Sequence, residues 1–151
     1  MRKKKEFLKE KFINFQKKIA ELTHALQEQE DSFQSREKDL YINLFEILDA
    51  FENLDQTIQA KENQFDKTSQ RLAKNIRSIR KKLIRLLKTY HIVQIEFSNN
   101  IADMDCCKVV DTQEAADMAN ETILSVVKNG YIDKNKEMVL RKAEVITVLN
   151  G

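Results

Sequence analysis

Two histidines, two adjacent cysteines and one run of cations are the residues of this chain with the most chemical reach. His24 lies in a helical stretch, and His91 stands where a helix gives way to extended chain. Neither has a second His or Cys at the three- or four-residue spacing by which a helix presents a zinc pair. The segment "ADMDCC" sets Asp103 and Asp105 beside Cys106 and Cys107, a weak metal signal. Adjacent cysteines cannot staple distant segments, and a disulfide between them would be strained. They read as reduced thiols of a cytoplasmic protein. There is no nucleophile triad and no glycine-rich phosphate loop, so no catalytic residue, metal ligand or cofactor is assigned, and the chain reads as a non-enzyme.

The cations are more informative. Residues 71–91 carry eight Lys/Arg and no acid. Such a stripe could neutralise phosphates or lie on an anionic membrane. It lacks the interleaved aromatics that stack on single-stranded bases. The preferred reading is a solvated face that pairs with the acid-rich residues 28–66, which hold eleven Asp/Glu against Arg36, Lys38 and Lys61. Nucleic acid is the disfavoured partner. Charge is blocky elsewhere too: residues 1–18 are basic, residues 92–127 acidic, and the net charge is only +2.

These groups need elements to position them. The chain has 151 residues, no proline and two glycines, and 33% of it is charged. That composition favours long helices over a many-turned β domain. No apolar run approaches the ~20 residues of a membrane span. The basic start "MRKKKEFLKEKF" leads into no apolar core of a secretory signal. From Leu8 the apolar residues step through Phe12, Phe15, Ile19, Leu22 and Leu26 at spacings of 4, 3, 4, 3 and 4. This heptad seam predicts a helix that pairs with another helix. Gln29 and Arg36 interrupt it, while Phe33 and Leu40 keep its phase. Beyond Leu40 the stripe widens through Leu44, Ile47, Leu48, Phe51, Leu54 and Ile58, as a bundle helix requires. The signal fades over residues 59–70, where Asp66, Thr68 or Ser69 can cap a second helix. That helix repeats Leu72, Ile76, Ile79, Leu83, Leu86 or Leu87, and Tyr90.

At His91 the period changes. "IVQIEF" and "ETILSVVKN" read as strands, "SNNIADMD" as a loop, and "MVLRKAEVITVL" as one strand with Val139, Arg141, Ala143, Val145 and Thr147 on one face. "GYIDKNKE" reads as the hairpin connection between the last two strands, with Gly130 supplying a positive φ.

Three stretches resemble the GrpE family, the nucleotide exchange factors of DnaK-type heat-shock chaperones. "LFEILDAFENL" is similar to the family's L-L-P-V-L-D-N-L-E-R-A-L, with Leu44, Leu48, Asp49 and Glu52 matching. "LLKTYHIVQIE" looks like L-x-K-F-G-V-x-x-I-x. "VVKNGYIDKNKEMVLRKAEV" looks like V-x-x-x-G-Y-x-x-x-x-R-V-L-R-P-A-M-V, with Gly130, Tyr131, Val139, Leu140, Arg141, Ala143 and Val145 matching. The likeness covers roughly residues 40–150. The chain departs from the pattern at Met138, where the family has a chaperone-facing arginine, and at Lys142 and Glu144, where it has proline and methionine. His91 replaces a glycine, Glu46 a proline, and Cys107 stands at a histidine position.

The expected architecture is α+β: a coiled-coil stalk helix at residues 1–40, a helical bundle at 41–91 and a small all-β domain at 92–151. The seam and stripes imply a homodimer through Leu8, Phe12, Phe15, Ile19, Leu22, Leu26, Leu44, Leu48, Phe51, Ile76, Ile79 and Leu83. The resemblance implies a cytoplasmic co-chaperone that binds the ATPase domain of a DnaK-type chaperone near Arg141, Leu140, Val139, Tyr131 and Met138, with Gly130 shaping the turn. It would open the nucleotide cleft and speed ADP release. The alternative is a GrpE-like dimeric scaffold whose basic helix 71–91 contacts nucleic acid or an anionic surface.

Overall fold

A computed structural model describes residues 1–151. Helix α1 (Arg2–Lys61) is followed by one 3-10 turn (Glu62–Gln64) and helix α2 (Lys67–Thr89). Six strands complete the chain: β1 (Ile92–Gln94), β2 (Cys107–Gln113), β3 (Ile123–Lys128), β4 (Tyr131–Asp133), β5 (Met138–Arg141) and β6 (Ala143–Val148). The architecture is the expected α+β. No helix is long and apolar enough to cross a membrane.

Contacts divide the chain into two units, Met1–Leu40 and Tyr41–Gly151. The first is the N-terminal part of α1. Its seam residues Leu8, Phe12, Phe15, Ile19, Leu22 and Leu26 stay 58–67% exposed. Nothing within the chain satisfies them.

In the second unit the helix break falls where the apolar stripe fades. Asp66 is the cap of α2: its carboxylate accepts the Ser69 N–H at 2.8 Å. The Ser69 side chain first, and this backbone bond second, hold the Asp66 carboxyl below its ordinary value. α2 then runs antiparallel to α1. Arg77 reaches Asp55 at 2.7 Å and Glu62 at 3.1 Å, and Arg80 pairs with Glu52. One core joins helices and sheet: Phe45 and Leu48 from α1, Leu87 from α2, Ile92, Tyr131 and Leu140.

The strands form two sheets, ordered β1-β4-β5 and β2-β6-β3. The first is antiparallel throughout. In the second, β6 pairs parallel to β2 and antiparallel to β3. Three expectations are corrected. "MVLRKAEVITVL" is two strands in different sheets, because the chain crosses at Lys142. The buried positions change parity there, from Leu140 to Ala143, Val145 and Thr147. "GYIDKNKE" is not a plain connection, since it contains β4 and a turn at residues 134–137 that returns to β5. Strand β2 has no counterpart in the sequence reading; all of it but Cys107 and Val109 is exposed, so apolar alternation did not mark it.

The third correction concerns Gly130, whose φ is not positive. Its requirement is space. A Cβ there would lie 2.5 Å from the Ala143 nitrogen and 2.9 Å from the Arg141 oxygen. The passage from β3 to β4 and the passage from β5 to β6 meet at this point, backbone against backbone. The positive φ sits instead at His91, at 61°. His91 closes α2 by donating its N–H to the Lys88 carbonyl at 3.0 Å. This left-handed cap suits glycine and strains a residue with a Cβ.

Gly130→Ala is expected to destabilise the protein by about 2 kcal/mol, because two of the three atoms a Cβ would meet, the nearest among them, are backbone and only the Ile95 Cδ1 can move aside. His91→Gly is expected to stabilise it by about 1 kcal/mol by relieving the left-handed strain. Urea unfolding followed by circular dichroism measures both, and a midpoint unmoved by either substitution would contradict the corresponding account.

Candidate functional site

A bidentate polar contact joins residues 92 positions apart. Arg141 ends β5 and Asp49 lies on α1. The guanidinium donates Nη1–H to Asp49 Oδ2 at 2.8 Å and Nη2–H to Oδ1 at 2.7 Å. Its Nε and Nη2 also donate to the Asn129 carbonyl, at 3.0 and 2.7 Å. This bidentate, charge-assisted geometry fixes both ends of the pair. Lys128 adds a second cation 3.7 Å from Asp49.

Beneath the pair, the rings of Phe45 and Tyr131 stack with centroids 4.1 Å apart and planes 7° from parallel. The Arg141 guanidinium carbon lies 5.4 Å from each centroid. Such stacking contributes ~1 kcal/mol beyond area burial, and a cation over the rings adds a similar amount. Burial pushes the Tyr131 phenol above its ordinary pKa, so it stays protonated at neutral pH.

The five residues expected at a partner contact therefore take different positions. Tyr131 and Leu140 are buried in the core. Arg141 closes the junction between strand and helix, with 14% of its side chain exposed. Val139 lies on the outer face of the first sheet, where the register aligns it with Ile132 and Val93. Met138 is the most open, 42% exposed at the start of β5. Before it, the buried Asp133 carboxylate accepts the N–H groups of Asn135 and Lys136 at 2.9 and 3.2 Å, which fixes the turn. Gly130 sits at the crossing described above.

A second surface lies beside the ion pair. Asp49, Glu52 and Asn53 of α1 face Val126, Val127 and Lys128 of β3 across a groove of about 310 Å³. Val127 is 59% exposed. Sequence reasoning marked Asp49 as a matched position but did not pair it with Arg141.

The residues expected at a dimer contact also separate. Leu48 is buried in the chain's own core, with Leu44 and Leu83 packed against it. Phe51 and Ile76 are half-buried, and Ile79 is exposed. Ile47 and Leu54 on α1 and Leu72 and Leu86 on α2 join Ile79 as exposed apolar side chains. The ion pairs set the level of one helix against the other, which brings Ile47 to the level of Leu86 and Leu54 to that of Ile79. By helical phase both rows face the same side of the helix pair.

The remaining reactive groups do not converge. His24 is exposed, 3.7 Å from Glu28. Cys107 is buried in a second core with Ala143 and Val145, whereas Cys106 is partly exposed. Burial pushes both thiols above their ordinary pKa, so at neutral pH they are protonated and poor nucleophiles. No three His, Cys, Asp or Glu residues are grouped to hold a metal ion.

The GrpE family model matches residues 1–148. Protein GrpE of Pediococcus pentosaceus is 31% identical over 101 residues, covering 66% of this chain and 50% of the relative. The chain thus spans about half the length of the curated relative it matches.

Asp49→Ala leaves Arg141 with one carbonyl acceptor in a mostly enclosed site. The expected loss is about 2 kcal/mol, between the limits for exposed and buried pairs. Thermal unfolding measures it, and a cost no greater than that of an exposed surface alanine substitution would refute the clamp.

Proposed function

The chain belongs to the GrpE family, and from that membership we propose that it is a nucleotide exchange factor for a DnaK-type chaperone in the cytoplasm. The family match over nearly the whole chain carries the reading. The proposed contact is the first sheet, with Met138 and Val139 touching the chaperone's ATPase domain. Tyr131, Leu140 and Arg141 hold β5 in position beneath them, and Gly130 keeps the two sheets together.

The mechanism needs no catalytic residue. A protein that binds the open nucleotide cleft more tightly than the closed one shifts the chaperone toward the open state. ADP then leaves faster and ATP can replace it. By linkage, ADP weakens binding of the factor to the same degree. A sheet clamped to a helix suits this role, because a wedge that bends would lose the differential binding it supplies.

The proposal includes a homodimer. The seam from Leu8 to Leu26 and the shared row of Ile47, Leu54, Leu72, Ile79 and Leu86 are apolar and uncovered in one chain. Their helical spacing is self-complementary, which makes a second copy the simplest cover. Residues 1–40 then form the stalk, 41–91 the bundle and 92–151 the partner-binding part.

Release of a fluorescent ADP analogue from a DnaK-type chaperone, followed by stopped flow, is expected to accelerate about a hundredfold, equivalent to a bias of ~3 kcal/mol. Met138→Asp is expected to weaken the apparent affinity several-fold while leaving the unfolding midpoint in place. Unchanged release at saturating protein would overturn the exchange reading for that chaperone.

A further inference from the structure

The eight cations of residues 71–91 separate into two groups. Arg77 and Arg80 turn toward α1 and are neutralised by Asp55, Glu62 and Glu52. Arg71, Lys74, Lys81, Lys82, Arg85 and Lys88 are exposed. None of these six belongs to an ion pair, so the acidic residues 28–66 take up only part of the charge that the sequence leads one to pair with them. There is no acidic side chain anywhere in α2 to offset the rest.

Helical phase gathers the six on one side. At 3.6 residues per turn they fall within an arc of about 120° and extend about 26 Å along the axis. The arc is nearly opposite Ala73 and Leu87, the buried positions of α2. The exposed apolar row of Leu72, Ile79 and Leu86 runs along one flank of α2. A second chain covering that row would leave Lys74, Lys81, Arg85 and Lys88 open to solvent.

We propose that this ridge binds double-helical nucleic acid through its phosphates, without reading base sequence. A duplex presents a negative charge every ~1.7 Å along its axis, so a straight cationic ridge can engage several phosphates at once. The arc contains no aromatic side chain to stack on unpaired bases, which favours a duplex over a single strand. It also contains no apolar side chain between the cations to enter lipid, which favours a duplex over a membrane. The only uncharged position near its middle is Ser78. This activity is separate from nucleotide exchange and does not depend on it.

The test uses the full chain and a fluorescein-labelled mixed-sequence duplex of ~20 base pairs, read by anisotropy between 50 and 200 mM NaCl. Neutralising about five phosphates predicts a logarithmic salt slope near −4.5, or about a 500-fold loss of affinity across that range. Lys74→Gln, Lys81→Gln and Arg85→Gln together should make the slope shallower by about 3. Circular dichroism and sedimentation should match the parent, since all three positions are exposed. Lys3→Gln, Lys4→Gln and Lys5→Gln together should change the slope by less than about 1. The proposal is overturned by any of three results: no duplex binding at 50 mM NaCl, equal slopes in parent and ridge variant, or an N-terminal variant that loses as much as the ridge variant. Binding to phosphatidylserine vesicles with none to the duplex would also overturn it and assign the ridge to a membrane surface.

Discussion

Arg141 meets three demands at once, and the first sheet depends on all of them. Its guanidinium takes both oxygens of Asp49, the carbonyl of Asn129 and a position over the Phe45–Tyr131 stack. Asp49 and Phe45 belong to α1, Asn129 to the link between sheets, and Tyr131 to β4. A sheet of three short strands has little area with which to hold itself in place. Here one side chain ties its last strand to the helix and to the crossing between the sheets. The same planar fork could not be supplied by lysine, which offers a point charge in place of a bidentate face.

The crossing imposes a second constraint. Two of the three sheet changes, β3 to β4 and β5 to β6, pass the same point, and Gly130 is the residue that lets the backbones approach. The Ala143 N–H donates to Cys106 at 3.0 Å, and the Ile95 N–H donates to Gly130 at 2.9 Å. These bonds satisfy polar groups that would otherwise be left unpaired where the two sheets meet. Close backbone approach and hydrogen-bond satisfaction thus act at one place, which is why two small sheets can share a narrow junction.

The helices follow a different logic. Their inward stripe is used by the chain's own core, through Phe45, Leu48 and Leu87, and their flanking rows are left apolar and open. Within one chain these rows have no cover. The cations of α2 are similarly divided between those that meet acids on α1 and the following turn and those that meet solvent. Helical phase decides both divisions: residues a few positions apart in sequence face opposite surroundings.

Period alone determined the two helices, the break between them and the seam from Leu8 to Leu26, because helical contacts are local and repeat in the sequence. Residue order also carried the family likeness through Gly130, Tyr131 and Arg141. What it could not carry were relations between distant residues. The pairing of Arg141 with Asp49, the sheet change at Lys142 and the assignment of Leu44, Leu48 and Leu83 to the internal core each depend on which elements come together. Gly130 shows the difference most plainly. The sequence marked a position that must be glycine and suggested its torsion angle as the reason; the tertiary structure placed the left-handed residue at His91 and gave Gly130 another reason, a second backbone where a Cβ would stand.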